Sequence, residues 1–250
     1  MPLRLDSGGR SARPSRIEEH LATMLHTGVP GDPVARMLDE LHARLSGLDA
    51  GDAASPIPAL AAADPGVFGI AIATLDGHVD AAGDADLSFT IQSISKPFVY
   101  ALVLADLARE AVMARVGVEP SGEPFNTISL EPGSGRPANP MINAGAILTT
   151  SLLAAATPGA RAARVLAGLS AFAGRRLEVD EDVFRSEDDT GSRNRALAWL
   201  MHASGSLDAA VEASVRTYFR RCSVLVTARD LAVMAASRPA RSCRSGSGCT

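Results

Sequence analysis

Ser93 and Lys96 form a Ser-x-x-Lys tetrad at the end of the stretch Phe89-Thr90-Ile91-Gln92-Ser93-Ile94-Ser95-Lys96. The pattern changes here from a strand to a helix predicted at about 94–109. Residues three apart lie on one helix face, so the Lys96 amine can reach the Ser93 hydroxyl. A partly buried lysine with a lowered pKa can take the hydroxyl proton while the serine attacks a carbonyl carbon. The tetrad therefore predicts acyl transfer, with Ser93 as nucleophile and Lys96 as base.

The choice of lysine at position 96 is itself informative. The chain has 24 basic side chains, and Lys96 is the one lysine among them. Arginine stays protonated at any ordinary pH, whereas a lysine can lose its proton when it is buried. A position that needed only positive charge would be expected to carry arginine here. From composition alone, Lys96 could equally be a surface lysine without a role in chemistry.

Three further segments carry polar side chains that suit a binding site. Asn143 precedes a run of small residues that begins a helix, Glu187 and Asn194 lie on either side of a glycine turn, and Tyr218 belongs to a predicted helix at 208–221. Each has a simpler interpretation: Asn143 as a helix N-cap, Glu187 as a solvated carboxylate, and Tyr218 as a packed aromatic. The residue types alone leave both interpretations open.

Several classes of function are disfavoured. The net charge of -4 lacks the basic excess of nucleic-acid binders. No histidine lies in the segments above, which argues against a Ser-His-Asp triad, and neither a Walker loop nor a His-Glu-x-x-His motif is present. The three cysteines form neither a disulfide framework nor a metal motif. Without a long apolar run or a signal-like N-terminus, we expect a cytoplasmic protein with no membrane span.

The hydrophobic pattern predicts a mixed architecture. The apolar run at 67–74, followed by Asp76-Gly77, predicts a hairpin of two antiparallel strands. Helical periodicity follows over most of the remaining chain. We expect a disordered leader at 1–14, one α+β domain at 15–236 with an antiparallel sheet and a helical part, and an unrelated flexible tail at 237–250. Helices are predicted at 15–27, 33–47, 94–109, 144–155, 160–173, 192–203, 208–221 and 227–236.

Taken together, these segments resemble the serine-dependent glutaminase family, which shares the fold of β-lactamases and DD-peptidases. The order and spacing of several independent motifs match over about residues 51–236. The matching stretches are Phe68 to Ala71, Phe89 to Lys96, Glu119 to Gly122 with Phe125-Asn126, Asn139 to Ile147, Ser186 to Asn194, and Tyr218 to Ser223.

The resemblance implies hydrolysis of L-glutamine to L-glutamate and ammonia through a Ser93 acyl-enzyme, with Lys96 as base. It implies that Glu187 binds the α-ammonium group of glutamine and that Asn143 and Asn194 bind its amino-acid head. Tyr218 is implied to bind substrate or to relay a proton. The resemblance also implies a homo-oligomer and a reaction that needs no metal or organic cofactor.

Two departures from the family pattern bear on activity. Pro56 stands where the family usually has a tyrosine that faces the substrate. The family also continues past the helix near Ala236 with a second active-site tyrosine, a Gly-rich strand and the closing strands of the sheet. We therefore expect a sheet that lacks its C-terminal strands, low stability and weak or absent activity.

Two alternatives to an active glutaminase stay open. One is a truncated, catalytically impaired paralogue that binds glutamine or full-length subunits. The other is a penicillin-interacting serine enzyme of the same broad fold, which the motifs around Asn143, Glu187 and Asn194 argue against.

Overall fold

The computed structural model describes residues 32–54, 57–122, 124 and 127–237. The predicted leader at 1–14 and helix at 15–27 lie outside these ranges, as do Pro56 and all of the predicted tail except Ser237. The helices within the ranges are α1 (Pro33–Leu45), α2 (Pro58–Ala61), α3 (Ser95–Asp106), α4 (Arg109–Met113), α5 (Asn143–Leu152), α6 (Pro158–Ala173), α7 (Glu181–Thr190), α8 (Ser192–Ala203), α9 (Val211–Cys222) and α10 (Ala228–Ala236). The strands are β1 (Gly69–Ala73), β2 (Val79–Gly83), β3 (Phe89–Thr90) and β4 (Leu225–Val226).

The predicted hairpin is confirmed. β1 and β2 pair antiparallel from Gly69 opposite Gly83 to Ala73 opposite Val79. Gly77 adopts a φ of 95°, a backbone conformation that side chains with a Cβ rarely adopt, and so the chain reverses tightly between the strands. Helix α1 packs against β2, and α10 packs against β1.

A second, shorter pair of strands holds the segment that precedes Ser93. β3 and β4 pair antiparallel, with Phe89 opposite Val226 and Thr90 opposite Leu225. The backbone N–H of Ile91 then donates to the carbonyl of Val224 at 2.8 Å. The sequence did not predict this pair, because two-residue strands leave no alternating pattern. The β3–β4 pair therefore holds the start of α3 next to the end of α9.

Helix α5 is the innermost helix of the described chain. Every residue from Asn143 to Thr150 is buried, and the helix contacts α3, α8 and α9. The surrounding core is apolar, and its fully buried members include Val103, Leu169, Leu197 and Phe219. Gly145 lets the backbone at Asn139 pack directly on this helix, because a Cβ there would lie 1.9 Å from the carbonyl oxygen of Asn139.

The helical predictions within the described ranges are confirmed in place and shifted by a few residues at their ends. Three helices were missed: the short α2 and α4, and α7, which runs from Glu181 to Thr190 where the charged sequence indicated only a turn. Asp180 begins α7, because its Oδ1 accepts from the backbone N–H groups of Asp182 and Val183. Among the described residues, no helix has both the length and the apolar character needed to cross a membrane.

Candidate active site

Ser93 lies at the junction between β3 and α3, in a 3-10 turn formed by Gln92–Ile94. Its side chain is exposed, whereas Lys96, in the first turn of α3, is only 3% exposed. The tetrad therefore places a hydroxyl at the surface and an amine just inside it. This is the arrangement that a serine nucleophile and a desolvated base require.

The turn before Ser93 is conformationally strained. Gln92 has a φ of 47°, and it is the one non-glycine residue with positive φ in the described chain. Such a conformation costs about 1–3 kcal/mol and persists only where the surroundings hold it. Two hydrogen bonds do so here: Ser95 Oγ donates to the Gln92 carbonyl at 2.6 Å, and Gln92 Nε2 donates to Thr90 Oγ1 at 3.2 Å. The strained residue immediately precedes the exposed serine.

A buried hydrogen-bond network joins Lys96 to three other helices. Lys96 Nζ donates to Asn143 Oδ1 at 2.8 Å, and Tyr218 OH donates to the same oxygen at 3.3 Å. Asn143 Nδ2 in turn donates to Asn194 Oδ1 at 3.1 Å. Four residues that the sequence singled out from separate segments therefore meet at one point. The N-cap interpretation of Asn143 is wrong, because its side chain faces this network and Asn139 Oδ1 accepts from Met141 and Ile142 instead.

The amine of Lys96 is unusually easy to deprotonate. Burial away from water lowers its pKa from 10.5 to about 8, and the positive charge of Arg221 lowers it further in the same direction. At pH 7 about a tenth of such amines is neutral, compared with well under a thousandth for an ordinary lysine. Lys96 can thus accept a proton near physiological pH, as the tetrad requires of it.

Glu187 is buried on α7, contrary to the interpretation as a solvated carboxylate. It is 5% exposed, and its Oε2 has no hydrogen-bond partner among the described residues. Burial raises its pKa from 4.5 to about 8, an effect that the charge of Arg221 opposes. An unpartnered buried carboxyl oxygen is costly unless a partner arrives. Glu187 Oε2 can therefore still accept from a cationic or hydrogen-bond-donating group.

Arg221 is a site residue that sequence reasoning missed. It is 1% exposed, its Nη1 donates to Thr150 Oγ1 at 2.8 Å, and its Cζ lies 4.7 Å from the centre of the Tyr218 ring. The signal was its spacing, because Arg221 follows Tyr218 by three residues and shares its helix face. Its charge acts on the pKa of Lys96 and Glu187 in the direction that each role needs.

Tyr218 and Cys222 complete the buried cluster as neutral groups. Burial raises the pKa of the Tyr218 hydroxyl well above its usual value, and it raises the pKa of the Cys222 thiol to about 12. The tyrosine therefore keeps its proton and acts as a hydrogen-bond donor. Because a thiol is nucleophilic only as thiolate, Cys222 is not a competing nucleophile.

Gly191 sets the spacing between the elements that carry these groups. A Cβ at this position would lie 2.1 Å from Cζ of Phe219 and 2.7 Å from the carbonyl oxygen of Glu187. The absence of a side chain lets the turn between α7 and α8 pack directly on α9. Glu187 and Asn194 are thereby held beside Tyr218.

A groove of about 860 Å³ opens beside Gln92. Residues of the 46–54 loop, β3 and the start of α7 line it. It borders the strained turn and includes none of the six residues singled out from the sequence.

Comparison with known proteins bears directly on this cluster. The glutaminase family model matches residues 51–245. The chain belongs to the glutaminase family. A glutaminase of Clavibacter michiganensis is 52% identical over 200 residues, which are 80% of this chain and 61% of that protein. A glutaminase of Nostoc sp. is 48% identical over 205 residues, which are 82% of this chain and 61% of that protein.

Solved structures give the same result. The structure of Mglu in its glutamate form matches with a TM-score of 0.78 and 46% identity, over 82% of this chain and 48% of that one. A Bacillus glutaminase matches with a TM-score of 0.73 and 32% identity, over 81% of this chain and 65% of that one. These matches confirm the predicted α+β fold of the β-lactamase type. The chain thus spans about half to two thirds of the length of these glutaminases.

Proposed function

We propose that this chain hydrolyses the side-chain carboxamide of L-glutamine to give L-glutamate and ammonia. Ser93 Oγ attacks the carboxamide carbon as its proton passes to Lys96. The carboxamide nitrogen takes that proton as the carbon–nitrogen bond breaks, ammonia leaves, and Ser93 is left as a glutamyl ester. Water adds to that ester, which releases glutamate and restores the hydroxyl. Membership of the glutaminase family supports the choice of substrate.

The observation that carries the proposal is the state of Lys96. Its amine is buried, it donates to Asn143, and it has a pKa of about 8 three residues after an exposed serine. A lysine kept only for stability would gain nothing from burial near Arg221, because two cations repel each other in a low dielectric. A base that must be neutral near pH 7 benefits from both effects.

Glu187 is proposed to bind the α-ammonium group of glutamine. Its Oε2 lacks a hydrogen-bond partner, and the ammonium group would supply both a donor and a counter-charge. The arriving cation would lower the pKa of Glu187 and fix the carboxylate in its charged form. The free amino-acid head is what distinguishes glutamine from an internal peptide carboxamide, and so this contact favours free glutamine.

Asn143, Asn194 and Tyr218 are proposed to hold the rest of the substrate and to guide the proton. The two amides are already oriented by their mutual hydrogen bond at 3.1 Å, which limits the entropy lost when substrate binds. Tyr218 OH and Lys96 Nζ share one acceptor, Asn143 Oδ1. From this place the Tyr218 hydroxyl can relay the proton from Lys96 to the departing nitrogen, and it ends the step protonated. Homo-oligomeric assembly, which the family resemblance implies, and a cytoplasmic location, which the sequence pattern suggests, stay predictions.

The test is ammonia release from L-glutamine by the wild-type chain, Ser93→Ala and Ser151→Ala. Ser151 is a matched control, since its hydroxyl donates to the Leu148 carbonyl within α5, away from the proposed chemistry. We expect weak but measurable release by the wild-type and Ser151→Ala chains and its loss in Ser93→Ala. Release that persists in Ser93→Ala would overturn the role of the nucleophile.

Two other results would overturn the proposed activity in favour of an alternative. Glutamine binding by a folded wild-type chain without ammonia release would support an impaired paralogue. A penicillin adduct on Ser93 in a chain that releases no ammonia would support a penicillin-interacting enzyme.

A further inference from the structure

Asp32, His78 and Asp80 bring their side chains together where α1 begins beside the β1–β2 hairpin. One carboxylate or imidazole atom from each lies within 4.8 Å of the others. His78 Nε2 is 3.0 Å from Asp80 Oδ2 and 3.8 Å from Asp32 Oδ2. None of the three belongs to the candidate active site, and their separation along the chain hides the cluster from any motif search.

We infer that these three residues form a binding site for a zinc ion that fastens α1 to the hairpin. The site is structural and takes no part in glutamine hydrolysis. It is independent of the proposed activity.

The orientation of the groups supports a shared cation. Although Asp80 Oδ2 lies 3.0 Å from His78 Nε2, the buried Nε2 makes no hydrogen bond of acceptable geometry. The distance is short while the direction is wrong for a direct bond. Two ligands of one ion have this relation, because both are directed at the ion between them. Zinc bonds of about 2.1 Å place tetrahedral ligands about 3.4 Å apart, and the two measured separations lie on either side of that value.

The burial of Asp80 supplies an independent reason for a ligand. Asp80 is 5% exposed, and its Oδ1 has no hydrogen-bond partner among the described residues. A buried carboxylate is strongly disfavoured unless a cation or several donors compensate its charge. A divalent ion here would compensate both Asp80 and Asp32. A direct ion pair between His78 and Asp80 is the competing explanation, but it leaves the Nε2 contact misdirected.

The local backbone holds all three ligands in place. His78 and Asp80 are two residues apart at the start of β2, so they lie on the same face of the strand. Asp32 is the N-cap of α1: its Oδ1 accepts from the backbone N–H of Val34 at 2.7 Å, which leaves Oδ2 directed at His78. The His78 side chain is 41% exposed, which gives an ion a path from solvent.

The donor set selects the ion. One imidazole nitrogen with two carboxylate oxygens suits Zn²⁺, with water completing the coordination, whereas Mg²⁺ and Ca²⁺ prefer oxygen alone. Bound zinc would join the N-terminus of α1 to β2 across the face where they already pack. Because the ion binds the folded chain better than the unfolded one, it would raise stability.

The experiment is calorimetric titration of the metal-free chain with Zn²⁺, for the wild type, His78→Gln and Asp80→Asn. His202→Gln and Asp86→Asn are matched controls, because His202 bonds the Leu207 carbonyl and Asp86 pairs with Arg229 at the surface. We expect one zinc per wild-type and control chain. Binding should weaken tenfold or more in His78→Gln and in Asp80→Asn, since even residues that only support a ligand contribute about that much.

The Co²⁺ spectrum and the melting temperature provide two further tests of the zinc site. The spectrum of the Co²⁺ complex must lack the sulfur-to-cobalt charge-transfer band, because Cys222, Cys243 and Cys249 are the rival ligands. At equal zinc concentration, zinc should raise the melting temperature of the wild type by clearly more than that of His78→Gln. A sulfur band, equal affinity in His78→Gln and the wild type, or no binding by a folded wild-type chain at millimolar zinc would overturn the site.

Discussion

The first residue and the middle of the inner helix α5 have opposite surroundings. Towards its middle, Ile147 and Leu148 are fully buried among apolar side chains of α3, α8 and α9. At its first residue, Asn143 contacts Lys96 and Tyr218 in a cluster that also contains buried charges. Burial of the apolar middle stabilises the folded chain by roughly 25 cal/mol for each Å² of apolar surface. The polar end loses free energy, because Lys96 and Glu187 both have pKa values shifted against their charged forms.

This contrast shows that the polar cluster lowers the stability of the folded chain, whereas the apolar core raises it. Each shift of one pKa unit corresponds to about 1.4 kcal/mol. Glu187 shifts from 4.5 to about 8 and Lys96 from 10.5 to about 8, so each represents a few kcal/mol of disfavoured charge. The strained Gln92 adds to the sum. Replacing groups around the first residue of α5 should therefore remove activity without loss of stability. Replacing groups in its apolar middle should lower stability without removing activity.

Lys96→Met should have the largest effect on turnover. Methionine fills a similar volume but cannot accept the proton of Ser93, so we expect kcat/KM for glutamine to fall by roughly 10²–10⁴-fold. Below pH 8 the variant removes a buried charge, and its free energy of unfolding should be no lower than that of the wild type. Steady-state ammonia release and urea denaturation measure the two quantities. Near-normal turnover would exclude Lys96 as base.

Leu148→Ala should have the opposite outcome. Leu148 is fully buried in the apolar part of α5, and truncating such a leucine costs about 2–5 kcal/mol. Urea denaturation should show this loss, while kcat/KM measured well below the new melting temperature stays within a few-fold of the wild type. A large loss of turnover in a folded Leu148→Ala chain would show that packing in the middle of α5 also controls activity at Asn143.

Glu187→Gln should raise stability in a pH-dependent way. The pKa of Glu187 is higher in the folded chain than its ordinary 4.5, so the folded state binds the extra proton. Its contribution to stability is complete below about pH 4.5 and is lost as pH rises to about 8. Glutamine cannot ionise, and so the variant should match the wild type at low pH and exceed it above pH 8. Equal stabilities at pH 9, measured by urea denaturation, would contradict the buried charge.

Much of this fold could be predicted from the sequence. The helices with clear periodicity and the hairpin at Asp76-Gly77 leave local signals that need no tertiary information. Helix α7 was missed because its charged residues outnumber its two core contacts, Val183 and Phe184. A strand before Ser93 was indicated, but β4 is too short to leave a pattern, and so its pairing with β3 was not predicted.

The sequence indicates six candidate residues, but neither Arg221 nor the electrostatics of the candidate site. These six residues follow from the tetrad and the family motifs, and the structure brings Lys96, Asn143, Asn194 and Tyr218 into one network. The burial of Glu187 depends on Gly191 and on the packing of α7 against α9, which no local pattern encodes. Arg221 is distinguished from the half-buried Arg220 only by the orientation of α9 in the folded chain.

The most direct test is the pH dependence of kcat/KM for L-glutamine in the wild type and in Glu187→Gln. Lys96 becomes neutral and Glu187 becomes charged as pH rises through about 8, and both changes favour the reaction. We predict that kcat/KM of the wild type rises steeply towards that pH. In Glu187→Gln it should rise less steeply, because Lys96 alone still titrates. A wild-type profile that is flat between about pH 6 and about pH 9 would contradict a buried lysine as the base and a buried carboxylate as the ammonium site.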